Sequence, residues 1–523
     1  MKKILSVVLL LALLLTAVSC GAKTEPALVS EPAPVSEPEP VSEPEPVSEP
    51  EPVSEPEPVA EPESIAEPEP AVPPEIESDF LIGFGREVIT PQESVPMAGY
   101  GNTSQRMSTE VRDDLFCTAI AFTDKDGNTA IIFTNDLISS VSTVCSQVRL
   151  SIREELGVPE ANVMFCSTHT HSGPDWSSNS SAPIARYRKY FLQQAVKAAA
   201  AALEDRAPAV ISTARVQTEG LNYVRRYKLA NGSWLGDNCN GDLAYKIIGH
   251  ESEADREMQV MKIDRKDKQS IYLCNFQAHP TITGGSTKTV LSADFPGEFR
   301  KNVEAETGAL CAYFTGGAGN MNTSSRLKWE FNASSVEEHG RLLAEYVLNL
   351  TDADFTPAVT NQVLVSKTTL ALETDHTMDG LLSKANEVRD LWINQNNKDA
   401  AATLAKSYGM HSVYHANAVV SKAARGATEN MELRVVSIGG IGFIHAPFEM
   451  FDTTGYEIKQ GSPFAMTFIC SCSNSGHGYI PAGEAATHEG YENDTTHFKP
   501  GAAEIIRDGF LSLLNEQYKR QNG

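Results

Sequence analysis

Beyond its first twenty positions the chain has no run of eighteen apolar residues, so no later segment is long enough in apolar residues to cross a bilayer as a helix. It has no HExxH pair, no GxSxG elbow and no GxxxxGK[ST] loop, which removes helical zinc peptidases, α/β-hydrolases and P-loop nucleotide enzymes from consideration. "GFGRE" from Gly83 lacks the third glycine of a dinucleotide fingerprint. Nine cysteines occur without a CxxC pair, which excludes a zinc ribbon or a thioredoxin-type motif. Basic excess is missing as well. The net charge is −25, and the 16 Glu, one Asp and one Lys of residues 21–79 supply most of it, leaving −11 from Phe80 onward. A mildly acidic body without a basic stripe has nothing to hold a phosphate backbone, so no nucleic-acid partner is expected.

What is present begins with Lys2 and Lys3, an apolar run from Ile4 through Leu15, and the small-residue ending "TAVSC" at Cys20. That order is an export signal. "AVSC" resembles a bacterial lipobox, with Ala17 where leucine is usual, and predicts residues 1–20 as a lipoprotein signal with Cys20 as the lipid-anchored first residue in the cell envelope. A plain secretory signal cut near Cys20 is the alternative. Residues 21–79 are a Pro/Glu-rich linker built on the repeat "VSEPEP". Frequent proline and mutually repelling glutamates predict a disordered, extended stalk, on the order of 150 Å for about fifty residues at ~3.1 Å each.

Residues 80–523 are expected to form one catalytic-sized unit of mixed α/β class, with largely antiparallel β-sheets flanked by helices. "FCTAIAFTDKDGNTAIIFTNDL" reads as a hairpin turned at Asp126-Gly127, and "MQVMKIDRKDKQSIYLCNFQAHP" and "LRVVSIGGIGFIHAPFE" repeat the pattern. Helices are predicted over 143–156, stopped by Gly157; over 187–205; over 336–350, with a Ser335/Glu338 capping box; and over 502–518. The stretch 378–425 also reads as helical. Cys117, Cys166, Cys274 and Cys311 fall in apolar runs and are expected as buried thiols.

Several of these strands finish on groups able to bind a metal or move a proton. "ANVMFCSTHTH" ends at His169 and His171, the second hairpin at His279, the third at Glu449, and "FAMTFICSCS" leads to Tyr479. Alternate residues of a strand share a face, so the two histidines of HxH would look into one cleft. Two or three imidazoles with a carboxylate suit zinc with one position open to water. Each group alone has a plainer reading: a histidine pair satisfied by backbone, a loop histidine, an ion-paired glutamate, a packed tyrosine. "YFTGGAGNMN" is a strand followed by a glycine-rich turn, which either lets backbone approach a ligand or is simply a tight loop.

"IGFGREVITP" with "MAGYG", then "STHTHSGPD", "NFQAHPT" with "SADFPGEF", "APFE" and "GYIPAGEAATHEGYE" occur in the order and approximate spacing of the neutral/alkaline, non-lysosomal ceramidase catalytic domain. The resemblance covers nearly all of residues 80–523, and THTHSGP is its most specific block. It implies a zinc-dependent amidase that splits an N-acyl sphingoid base. It implies His169, His279, Glu449 and Tyr479 as zinc ligands, His171 as the proton-handling histidine, and Tyr491 as a contact to the substrate amide. Arg225 matches the active-site arginine, with Arg226 as the alternative, and Asp294 is a candidate to orient a ligand.

Two departures accompany the match. Where ceramidases carry a catalytic serine, this sequence has Asn322, which is no nucleophile but could donate to a developing oxyanion. The sequence given ends at Gly523, without room for the immunoglobulin-like domain of full ceramidases. The expectation is a membrane-anchored zinc hydrolase of an acyl-amide substrate, small-molecule or lipid-like. The alternative is a surface-anchored binding protein that kept the fold and lost or altered its activity.

Overall fold

The computed structural model describes residues 76–101, 106–236, 246–285, 287–359, 362–474 and 476–523. The export signal, Cys20 and the VSEPEP repeat lie outside the described residues.

Nine strands make the larger sheet: β1 (Leu81–Val88), β2 (Phe116–Thr123), β3 (Thr129–Asn135), β4 (Val163–Ser167), β5 (Ala207–Gln217), β6 (Glu257–Arg265), β7 (Lys268–Phe276), β8 (Leu310–Thr315) and β9 (Thr356–Ala358). Their order is β8-β7-β6-β5-β1-β2-β3-β4, with β9 also on β5. Only β3–β4 and β7–β8 are parallel. A second sheet runs β10 (Val363–Glu373), β11 (Thr428–Ile438), β12 (Ile441–His445) and β13 (Met466–Cys470), with β12–β13 parallel. The mixed, largely antiparallel α/β class expected from the sequence is what forms, and each of the three hairpins is present. Gly127, at φ 84°, takes the turn conformation that side chains resist.

Period-two alternation explains the layering. In β2, Ile120 and Phe122 face the second sheet, whereas Cys117, Ala119 and Ala121 face helices on the other side. In β4, Met164 and Cys166 face inward and Val163 and Phe165 outward. One core therefore lies between the sheets and others lie under the flanking helices, giving helix, sheet, sheet, helix. Because both faces of the larger sheet are covered at β2, β3 and β4, these strands are buried along their whole length apart from Phe116.

The helices are Ser142–Leu156, Ala182–Glu204, Phe295–Thr307, Val336–Leu348, Asp452–Gly461 and Ala502–Asn522, with shorter ones elsewhere. Gly157, at φ 75°, ends the first as expected. The second starts five residues before its predicted onset because Pro183 is tolerated in a first turn. The capping box is only half formed. Ser335 Oγ accepts from Glu338 N at 3.2 Å, but the Glu338 carboxylate turns to Ser334. The helical reading of 378–425 holds, with Leu382–Arg389, Lys398–Ser407 and Val413–Ala423 packed around Trp392 and Met410.

Gly83 and Gly85 belong to packing rather than to any nucleotide loop. A Cβ on Gly83 would lie 2.0 Å from the Ala202 carbonyl oxygen, and one on Gly85 would lie 2.1 Å from that of Ala198. The two glycines let helix Ala182–Glu204 rest on β1. The seven described cysteines are free and buried, including the four expected as core thiols.

Candidate metal centre

The C-terminal ends of β4, β8 and β13 are stitched together. Thr315 Oγ1 donates to the Thr168 carbonyl at 2.6 Å, and Ser471 N donates to that of Thr315 at 3.0 Å. Beyond this seam the side chains converge. His169 Nε2 is 3.1 Å from His279 Nε2, and Glu449 Oε2 is 3.3 Å from the former and 3.2 Å from the latter. His171 Nε2 is 3.3 Å from His169 Nε2. His169 and His279 are buried, and the Glu449 side chain keeps 19% of its surface exposed. Positions 110 and 170 residues apart thus deliver four donor atoms to one point.

The route by which HxH reaches this point differs from the strand-period expectation. β4 ends at Ser167, and His169 sits at φ 69°, a left-handed conformation that a β-strand never uses. His169 N still donates to Leu137 O at 2.9 Å, so the kink is held by the neighbouring chain. The two imidazoles meet because the backbone turns between them, not because alternate residues share a strand face.

Every ring is oriented by a backbone carbonyl. Nδ1–H of His169 donates to Ile138 O at 2.5 Å, that of His171 to Gly99 O at 3.0 Å, and that of His279 to Ala318 O at 2.6 Å and Met321 O at 3.0 Å. Protons fixed on Nδ1 leave all three Nε2 lone pairs facing inward toward a carboxylate oxygen. Such a gathering of acceptors needs a cation at its centre. Donors about 2.0–2.1 Å from a tetrahedral ion stand roughly 3.3 Å apart, the spacing found between these atoms, so the residues fit zinc.

The charges agree with a site made for a cation. Burial and the neighbouring imidazoles hold His171 well below its ordinary value, and burial with the Arg225 charge pushes His279 down to about 4. Burial would lower His169 too, but Cys472 and Glu449 outweigh it and raise that group. For Glu449 burial opposes ionisation, yet His169 and His279 bring the carboxyl well below its usual range.

Tyr479 stands opposite Glu449 in a short parallel bridge, Glu449–Met450 against Tyr479–Ile480, and its hydroxyl accepts from Arg225 Nη2 at 3.2 Å. Tyr491 stacks edge-on against Tyr479, centroids 5.5 Å apart, and meets Tyr414 on its other side at 5.6 Å. The two arginines divide their work. Arg225 donates to Glu492 Oε1 at 2.8 Å, Gly319 O at 2.9 Å and Tyr479, whereas Arg226 turns to Glu251 and to the other Glu492 oxygen at 3.1 Å. Arg225 is therefore the arginine of the site. Asn322 lies in the bridge Met321–Asn322 against Tyr223–Val224, one residue after the carbonyl that supports His279.

One expectation changes. Asp294 caps helix Phe295–Thr307 through Phe295 N at 2.8 Å and holds Thr283 N at 2.7 Å, so it orders the loop after His279. In the glycine-rich turn the close approach is to protein backbone: a Cβ on Gly319 would be 2.7 Å from Glu449 O, and Gly319 N donates to Met450 O at 2.7 Å. Residues missed from the sequence are Tyr100, edge-on to His171 at 5.4 Å, Cys472 beside His169, and Glu492. "MAGYG" carried the first, "FAMTFICSCS" the second and "GYIPAGEAATHEGYE" the third, but nothing within those stretches singled these residues out. A cavity of about 450 Å³ opens on His169 and Glu449 between Ser139, Ser178, Phe448 and Cys472, of a size that admits a small molecule.

Residues 80–317 match the family model described as neutral/alkaline non-lysosomal ceramidase, N-terminal. Among solved structures, the neutral ceramidase from Pseudomonas aeruginosa is similar at a TM-score of 0.63 and 16% identity, over 85% of this chain and 75% of that one. A ceramidase complexed with C2 gives a TM-score of 0.63 and 15% identity, over 85% and 76%. No curated protein sequence matches. At such identities the structural likeness speaks for the fold. Over residues 80–317 the chain thus matches the neutral/alkaline non-lysosomal ceramidase family in sequence, on a fold like that of the neutral ceramidases, and the resemblance read from the motifs that fall there stands.

Proposed function

We propose that the chain is a zinc-dependent hydrolase that cleaves an N-acyl amide, with an N-acyl sphingoid base as the leading substrate class. The family match over residues 80–317 supports amide hydrolysis. The observation that carries the metal is the convergence of His169 Nε2, His279 Nε2 and Glu449 Oε2 within 3.1–3.3 Å, each histidine held through Nδ1. Tyr479, opposite Glu449, completes the proposed set. Bound zinc would supply Lewis-acid activation of water and of the acyl carbonyl.

The remaining roles belong to the chain. His171 presents an unprotonated Nε2, since its Nδ1–H is committed to Gly99 O, and takes a proton from the attacking water before returning it to the departing amine. The Arg225 guanidinium is fixed by Glu492 and Gly319 O, which keeps its charge beside Tyr479 where negative charge would develop. Tyr491 positions the amide, and the Asn322 amide group donates to the oxyanion. Zinc analysis and turnover of a fluorescent N-acyl sphingoid base test the reading. About one zinc at this centre, with activity abolished by chelator and restored by zinc, is expected; a metal-free protein or chelator-resistant turnover would overturn it.

A binding protein is the second reading, favoured by Asn322 where the family has serine. Failure of every amide and ester substrate in the zinc-loaded protein would favour it. Export and anchoring through Cys20 are also proposed, supported by the Lys2–Cys20 pattern. Metabolic labelling with a fatty acid should mark wild type and spare Cys20→Ala.

A further inference from the structure

A second group of metal-binding side chains lies away from the centre described above. His411 and His415 flank the start of helix Val413–Ala423, and Asp494 comes from the short helix Tyr491–Thr495. One ligand atom from each lies within 4.8 Å of the others. Asp494 Oδ1 is 2.8 Å from His411 Nδ1 and 3.4 Å from His415 Nδ1. Asp494 and His415 are buried, each 6% exposed, whereas the His411 side chain keeps 43% of its surface. The cluster borders a cavity of about 560 Å³ walled by Trp234, Met410 and Tyr414, so an ion has a route in.

His411 Nδ1–H donates to Asp494 Oδ1 at 2.8 Å, and His415 Nδ1 accepts from the His411 backbone N–H at 3.3 Å. His415 Nδ1 also stands 3.4 Å from the same carboxylate oxygen, so one oxygen lies within reach of both imidazoles. The spacings of 2.8 and 3.4 Å bracket those of a tetrahedral first shell, and a divalent cation could take the place of the proton between His411 and Asp494.

We propose that His411, His415 and Asp494 form a second divalent-metal site, suited to zinc or another borderline ion, whose fourth position faces the Trp234–Tyr414 cavity. The ion would tie two helices whose ligands are 83 residues apart in sequence. Its placement gives it leverage, since helix Tyr491–Thr495 also carries Tyr491, stacked on Tyr479, and Glu492, which holds Arg225. The site does not depend on what the first centre hydrolyses.

The test is zinc stoichiometry in chelator-stripped full chain titrated with zinc chloride, read by calorimetry and elemental analysis. Wild type should take up about two zinc ions, and His411→Ala with Asp494→Asn should take up one fewer, keeping the tighter one. His169→Ala with His279→Ala should keep the weaker one, and cobalt loaded into that variant should give the visible absorption of a four-coordinate ion. The same zinc uptake in His411→Ala/Asp494→Asn as in wild type, or none in His169→Ala/His279→Ala, would overturn the proposal. His411→Ala alone, at an exposed ring that leaves the buried pair in place, provides the check should the double variant misfold: it should still weaken the second zinc at least tenfold, and unchanged affinity counts against the site.

Discussion

At the scale of single residues, the histidines separate into those that gather and those that stand alone. His169→Ala should strip the first centre of zinc, whereas His171→Ala should retain the ion and lose about 10²–10⁴-fold in kcat, the span of a missing proton carrier. Elemental analysis beside steady-state kinetics distinguishes the two, and loss of zinc from both variants would make His171 a ligand. His339 behaves differently. It is fully buried against Phe295, neither ring nitrogen has a partner among the described residues, and burial pushes it down to about 3. The folded state holds it neutral while the unfolded state protonates near 6.5, so between about 3 and 6.5 the unfolded chain binds the extra proton and stability falls as pH falls, by at most about 1.4 kcal/mol per pH unit. His339→Leu should flatten the acid side of a denaturant-midpoint profile; an unchanged slope would contradict this account.

Among elements, the contact between β1 and helix Ala182–Glu204 is the sharpest case of sequence dictating fit. Gly85→Ala would drive a methyl group into the Ala198 carbonyl, and backbone on both sides cannot yield as a flexible side chain would. The expected loss is about 1–3 kcal/mol in urea unfolding, with native-like secondary structure retained by circular dichroism. This pair also shows what the sequence could convey. Hairpins, helices and the αβ character were legible because alternation and turn chemistry are local, and His171, His279 and Glu449, each three or four residues past a strand, were legible as candidates for the same reason. The left-handed turn at His169, the role of Gly319 against Glu449, and the carbonyls behind each imidazole were not, because they arise from chains that meet only after folding. Asp294, carried over from the resemblance as an orienting group, is a helix cap, and the sequence alone does not tell a capping carboxylate from an orienting one. The region 378–425, read as helix and little more, hid His411 and His415 because their third partner lies 83 residues on.

For the whole molecule, the first centre joins segments that the sheets leave free at their tips. Closing loops of this length has a cost that grows slowly with length, and a bound ion offsets it only in the folded state. Zinc at about a thousand times its dissociation constant should add about 4 kcal/mol, so chelation should lower the melting temperature and zinc restore it. A melting curve indifferent to chelator would mean that the tips are held by protein contacts alone. The glutamate between Arg225 and Arg226 has a wider consequence. Burial would raise its carboxyl, yet the two guanidinium groups bring it below its usual range, so Arg225 leans on this one buried carboxylate while Arg226 shares it with Glu251. Neutralising Glu492 would set like charges against each other and loosen the turn that carries Tyr491. Integrity of the fold and aim of the groups around Tyr479 are therefore answerable to the same carboxylate, and any retuning of this site has to begin from neighbours other than that one.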